Sequence, residues 1–311
     1  MHFKLQTALG WLVHTAPLLA SAVSLQQVTS DFGSNPRNVG FYIYVPDKLA
    51  ANPPILVNPH ACHGSAQNAY TGSQYATLAS QYGFIVIYPD SPNTADKCWD
   101  VSSSDTLTHN AGGDSLGIAS MVRWTLSKYN GDASRVFVTG TSSGAMMTSV
   151  LIGAYPDMFA AGSAFSGVPF GCFAGNGYGV WSDACATGKI THTGPEWAAL
   201  VEAAYPGYTG WRPKMMILHG DQDETLNFTD FGEEIKQWTS VFGISDTPTS
   251  TTSNTPVSNW TKYVYGNDDW FEAYRAGGVP HNIPNQESLV MNWFGLTCTS
   301  GDCFKWGQGQ G

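Results

Sequence analysis

The sequence predicts an α/β fold, a mostly parallel sheet with helices on both faces. Three observations carry that expectation. Short, continuous apolar runs recur along the chain, as strands buried on both faces show. Helical patterns alternate with them, which is the signature of parallel strands joined by crossover helices. The 311 residues are 42% hydrophobic and only 12% charged. A chain of that length buries about three quarters of its unfolded surface, and this composition excludes disorder over most of it. The net charge of −10 argues against nucleic acid as a partner, since nothing in the sequence supplies a Lys/Arg stripe to neutralise phosphates.

In chain order, the N-terminus opens with the weak positive flank His2 and Lys4, the apolar run Ala8–Leu19 and then Ala20-Ser21-Ala22. This reads as a signal peptide over residues 1–22. The run is shorter than the roughly 20 apolar residues a membrane span needs, and no later stretch qualifies, so a secreted, extracellular protein without a membrane partner is expected. Cleavage would leave 311 − 22 = 289 residues and, with Lys4 gone, a net charge of −11. Val39–Val45 is read as an edge strand closed by Pro46, and Ile55–Val57 as a short buried strand ending at Asn58-Pro59. Phe84–Tyr88, Val136–Thr139 and Met215–Leu218 supply further buried strands. Helical spacing covers Tyr75–Gln81 and Ser115–Tyr129, the second with Asp114 as N-cap, and later Phe231–Phe242 and Glu287–Phe294. Ser245–Ser258, rich in Thr, Ser and Pro, reads as a surface loop, and the tail Phe304–Gly311 as frayed. The division is a signal peptide (1–22), one α/β domain (23–297) and a C-terminal extension (298–311) with a local disulfide; a monomer is expected.

Six cysteines form an even set, as an oxidising compartment favours. Fifteen pairings are open. Short loops favour Cys172–Cys185 and Cys298–Cys303, leaving Cys62–Cys98; the absence of C-x-x-C spacing argues against zinc. Asn227-Phe228-Thr229 and Asn259-Trp260-Thr261 are sequons for N-glycans.

The chemistry centres on Val136–Met147, a β-run followed by Gly140-Thr141-Ser142-Ser143-Gly144 and a helix of small and apolar residues. A tight strand–helix turn with flanking glycines projects the Ser142 hydroxyl and turns the Ser143 N–H toward a developing oxyanion. Ser142 then requires an acid and a histidine later in the chain. Asp221 and Asp223, just past Met215–Leu218, are the acid candidates, with Asp223 preferred; spacing alone does not separate them. His281, in the glycine-rich loop Gly277–Ile283, is the late histidine that the order demands. His219 reads as structural. In α/β-hydrolases the loop after an early strand supplies the second oxyanion donor, here the Cys62 backbone in His60-Ala61-Cys62-His63-Gly64. A metal pair His60/His63 is the rival reading of that loop, without a zincin Glu or a third ligand. Trp99 is placed either on the substrate side, stacking on sugar rings, or in the core.

Several stretches together resemble the fungal secreted esterases of carbohydrate esterase family one, the acetylxylan esterases and their feruloyl esterase relatives. They are Ser24–Thr29, Tyr42–Pro46, Tyr82–Pro89, Cys98-Trp99-Asp100-Val101, Gly140–Met147 and Arg212–Met215. The resemblance runs from about Ser24 to Gly295. It implies an α/β-hydrolase with nucleophile Ser142, acid Asp223 and base His281, which resolves the choice between Asp221 and Asp223. It further implies an acyl-enzyme mechanism that needs no cofactor or metal, and acetylated xylan, a polysaccharide, as substrate. Gly140–Met147 and Asn254-Thr255-Pro256 look closer to acetylxylan esterases than to feruloyl esterases. Pro59–His63 departs from the relatives' usual loop, and Cys298–Gly311 extends past the usual family end. The rivals are a feruloyl esterase, a polyester depolymerase and a non-catalytic cell-wall-binding protein on a hydrolase scaffold.

Overall fold

The computed structural model describes residues 24–175, 177–267 and 270–307; the expected signal peptide lies outside them. Among the described residues ten strands form one sheet: β1 (Gln26–Gln27), β2 (Gly40–Tyr44), β3 (Ile55–Val57), β4 (Ile85–Asp90), β5 (Val136–Thr141), β6 (Ala161–Phe165), β7 (Lys214–Gly220), β8 (Ser250–Ser253), β9 (Trp260–Tyr265) and β10 (Phe271–Ala276). Their spatial order is β1-β2-β4-β3-β5-β6-β7-β10-β9-β8. The six strands from β4 to β10 run parallel, and antiparallel strands close both edges. This is the α/β-hydrolase architecture. The helices are α1 (Ala66–Gly72), α2 (Tyr75–Tyr82), α3 (Ser104–Leu107), α4 (Gly113–Tyr129), α5 (Ser143–Ala154), α6 (Asp183–Ala186), α7 (Gly194–Ala203), α8 (Thr229–Val241) and α9 (Glu287–Trp293). No helix among the described residues is long and apolar enough to cross a membrane.

The central strands are apolar at every position because both faces are covered, and strand periodicity sends alternate residues to opposite layers. Ile55, Val57, Ile85, Ile87, Val136 and Val138 face a core shared with α4, α5, α7 and α8. Leu56, Val86, Tyr88 and Phe137 face a second core closed by α2 and α9.

Four expectations change. Val39–Val45 is not an edge strand, because the two-residue β1 pairs outside it. Asp114 is not an N-cap: α4 begins earlier, capped by Gly112 at φ 140°, a backbone that L side chains rarely adopt. The buried Asp114 carboxylate instead accepts from the Asp100 N–H at 2.9 Å and the Tyr178 hydroxyl at 3.1 Å. Ser245–Ser258 is not all loop, since Ser250–Ser253 adds the exposed strand β8 to β9. Finally, the tail is packed through Trp306, whose indole N–H donates to the Pro156 carbonyl at 2.8 Å and whose amide donates to Ser134 at 2.7 Å. Residues 308–311 lie outside the described ones. The cysteines pair as Cys62–Cys98, Cys172–Cys185 and Cys298–Cys303.

Candidate active site

Ser142 stands at the C-terminal end of β5, one residue before α5, with φ 57° and ψ −121°. A non-glycine residue in that region is strained and is held there by its surroundings. The Ser142 N–H donates to the Phe165 carbonyl at 2.9 Å, and its carbonyl accepts from Ala145 and Met146. The flanking glycines are explained by space. A Cβ on Gly144 would sit 2.2 Å from the Pro59 carbonyl oxygen, and one on Gly140 would sit 2.5 Å from the Gly144 oxygen. Ser143 opens α5, where an amide has no intrahelical acceptor.

Asp223 follows β7 and His281 follows the neighbouring parallel strand β10. Two backbone bonds stitch the two loops together, Asp221 N–H to the Ala276 carbonyl and Gln222 N–H to the Val279 carbonyl. Gly220 allows the approach, since a Cβ there would lie 2.2 Å from the Val279 oxygen. The result is a continuous chain of contacts: His281 Nε2 lies 2.9 Å from Ser142 Oγ, and His281 Nδ1 lies 2.7 Å from Asp223 Oδ2. A carboxylate only accepts, so Nδ1 carries the proton and the Nε2 lone pair faces the serine hydroxyl. Asp223 Oδ1 accepts the Thr225 and Leu226 amides at 2.9 and 2.8 Å. Burial alone would raise the Asp223 carboxyl, but donors from His219, His281 and the Leu226 amide outweigh it and hold the group far below the usual carboxylate range. The backbone of His281 is also held: its N–H donates to Glu224 at 3.2 Å and its carbonyl accepts from Ser166 Oγ at 3.1 Å.

Asp221 does different work. Its carboxylate accepts the Arg275 guanidinium at 2.7 and 2.9 Å and the Gly278 amide at 2.7 Å, which anchors the loop carrying His281.

The loop after β3 is tied down on the other side of Ser142. The Cys62–Cys98 bridge links it to the next loop, where the Trp99 amide donates to Ser143 Oγ at 2.7 Å. Trp99 does not stack on sugars. It is 1% exposed, and its indole N–H donates to the His60 carbonyl at 2.8 Å. That core position leaves Trp181, 46% exposed, as a tryptophan open to solvent. His60 is buried as well. It accepts the Ser91 amide at Nε2 and donates from Nδ1 to the Ala61 carbonyl, at 3.0 and 2.7 Å. Both ring nitrogens are therefore committed, and the His60/His63 metal reading loses its first ligand. Treatment with a chelator is expected to leave hydrolysis unchanged; loss of activity restored by a divalent metal would contradict this.

A cleft of about 280 Å³ adjoins these residues, lined by Asn58, His60, Ala61, Thr141, Phe165 and Asn282. A larger open groove of about 670 Å³ between α7 and α8 contains none of the residues that meet at Ser142. Both sequon asparagines, Asn227 and Asn259, are exposed. Sequence reasoning missed His219 and Ser166 as neighbours of the site, because neither lies in a motif; the strand-end position of His219 beside two acids is the one signal that pointed to it.

The family described as Esterase PHB depolymerase matches residues 39–253. Acetylxylan esterase A of Aspergillus oryzae is 53% identical over 283 residues, covering 90% of this chain and 91% of that one. Feruloyl esterase B of Talaromyces stipitatus is 48% identical over 300 residues, covering 96% and 82%. Among solved structures, an acetyl xylan esterase from Aspergillus awamori superposes with a TM-score of 0.85 at 51% identity, covering 88% of this chain and 99% of that one.

Proposed function

Because the chain belongs to the Esterase PHB depolymerase family, a family of carboxylic ester hydrolases, we propose that it removes acetyl groups from acetylated xylan by a Ser142–His281–Asp223 mechanism. The observation that carries the chemistry is the unbroken hydrogen-bonded line from Ser142 Oγ through His281 to Asp223.

His281 Nε2 takes the Ser142 proton as Oγ attacks the acetyl carbonyl. Asp223, kept ionised, holds the Nδ1–H tautomer and stabilises the imidazolium that forms. The oxyanion is received by the amides of Ser143 and Cys62. The place of Ser143 at the head of α5 and the disulfide at Cys62 support these two assignments, and one such donor contributes about 3–4 kcal/mol of barrier lowering. Imidazolium then protonates the departing sugar oxygen. Water, activated by the same histidine, attacks the acyl-enzyme and releases acetate. No step calls on a cofactor.

The substrate assignment is supported by the identity to acetylxylan esterase A across nine tenths of both chains. Three disulfides suit work outside the cell, where polymeric xylan is met, and the exposed Asn227 and Asn259 suit glycan attachment. The feruloyl esterase reading is favoured by a separate observation, 48% identity to Feruloyl esterase B over 96% of this chain. Purified protein is to be compared on acetylated xylan and methyl ferulate. The expected result is acetate release with little ferulate; ferulate release alone would keep the triad and overturn the acyl preference. Silence on both would move the weight to another ester or to a binding role.

A further inference from the structure

His219 lies near the end of β7, wholly buried and in T-shaped contact with Phe228 and Phe231. Its Nε2 is 3.2 Å from Asp223 Oδ2 and 3.1 Å from the Leu226 carbonyl oxygen. Both neighbours are acceptors, so Nε2 carries the proton. Nδ1 has no hydrogen-bond partner among the described residues, so the contacts of the ring with its polar surroundings run through Nε2. We propose that His219 is a positioning residue: its Nε2–H holds the Asp223 carboxylate with Oδ2 turned toward His281. This rests on the Ser142–His281–Asp223 reading.

Asp223 Oδ1 accepts two amides from its own loop, whereas Oδ2 accepts from His281 Nδ1 at 2.7 Å and has His219 Nε2 3.2 Å away, that N–H being shared with the Leu226 carbonyl. The local amides set where the carboxylate sits. His219 is the rigid donor on the oxygen that faces the base, and it projects from a central strand, not a loop. It also withdraws charge from that oxygen. Without it, Oδ2 would concentrate its negative charge on His281, and the imidazole would become more basic. The other charged groups around the pair occupy different positions. Glu224 accepts from the His281 amide, and Asp221 is bound to Arg275 and Gly278. Asp230, across from Asp223 on α8, is pushed up to about 8 by burial and by its acidic neighbours Glu233 and Asp223.

The test uses Gln and Met at 219, side chains of nearly equal length, of which only Gln offers an N–H. The readout is the rate at which a fluorophosphonate labels Ser142 as a function of pH, since its acid limb reports protonation of His281. His219→Met is expected to slow labelling about tenfold and to move the acid limb upward by about half a pH unit. His219→Gln is expected to keep the limb at the wild-type position. A limb unmoved in both variants, or moved equally in both, overturns the proposal and leaves His219 a packing residue. Should the Met variant not fold, His219→Leu, which also lacks an N–H, takes its place and is held to the same outcome: a limb moved upward where that of the Gln variant is not supports the proposal, and limbs that coincide overturn it. Failure of the wild type to label, or labelling that survives Ser142→Ala, would overturn the triad reading itself and this inference with it.

Discussion

Replacing Ser142 with alanine is expected to reduce ester hydrolysis by roughly a millionfold, to the level of background, while the melting temperature stays close to wild type. The size of the effect follows from the way the three side chains act as a unit: with no Oγ there is no acyl-enzyme, and His281 and Asp223 have nothing to activate. The fold should survive because the side-chain contact of Ser142 is to His281, while its strained backbone is held by its own N–H bond to the Phe165 carbonyl and by bonds from the Ala145 and Met146 amides. Acetate release and fluorophosphonate labelling measure the loss. The two neighbouring acids sharpen the test. Asp223→Asn is expected to cost about 10⁴ in kcat, because an amide N–H facing Nδ1 favours the wrong imidazole tautomer. Asp221→Asn leaves the triad contacts in place and weakens only the Arg275 and Gly278 anchor, so a much smaller loss is expected. Equal losses in the two variants would show that the acid has been misassigned.

The second large effect is on stability. Asp230→Asn is expected to be more stable than wild type by about 2–3 kcal/mol at pH 7.5 and no more stable at pH 4. Asp230 is fully buried, and neither carboxylate oxygen has a hydrogen-bond partner among the described residues. Desolvation first, then the charges of Glu233 and Asp223, push its carboxyl from 3.8 to about 8. The sign is set by the raised folded value. Below pH 4 the group is protonated folded and unfolded alike and contributes nothing. Between 4 and 8 the unfolded chain sheds the proton that the folded chain must keep, so the folded state loses ground as pH rises. Above 8 the penalty levels off. At about 1.36 kcal/mol per pH unit, the full displacement would reach roughly 6 kcal/mol; a buried asparagine with the same missing partners recovers about half of it. Glu234, one turn further along α8, is also raised by burial and acts in the same direction. Urea unfolding at the two pH values measures the difference, and equal stabilities at both would show that Asp230 is paired or hydrated.

How much was legible in advance varies by element. Ile55–Val57 is the same in sequence and structure because a run buried on both faces is apolar at every position and leaves no choice of register. Ala161–Phe165 went unseen as a strand: Ala-Gly-Ser-Ala-Phe lacks β-branched residues, and its place between β5 and β7 comes from tertiary pairing that overrides local propensity. Trp306 belonged to a tail whose composition reads as unstructured, yet two backbone carbonyls across the molecule take its N–H groups. Trp99 was open between surface and core, since nothing local says which way an indole turns.

The residues themselves determined the chemistry of this protein. Gly-x-Ser-x-Gly between a strand and a helix is a local device, its glycines demanded by a turn a few residues long, and the chain order of acid and histidine follows from it. What only the tertiary structure decided are the relations across the sheet. Asp223 and Asp221 are two residues apart and chemically identical; they separate because one faces His281 and His219 while the other meets Arg275 from a neighbouring strand. His219 gains its place beside Asp223 in the same way. Spacing along a chain carries the information for turns and faces, but hydrogen bonds between strand ends depend on which strands lie side by side, and that is settled by the packing of the whole sheet.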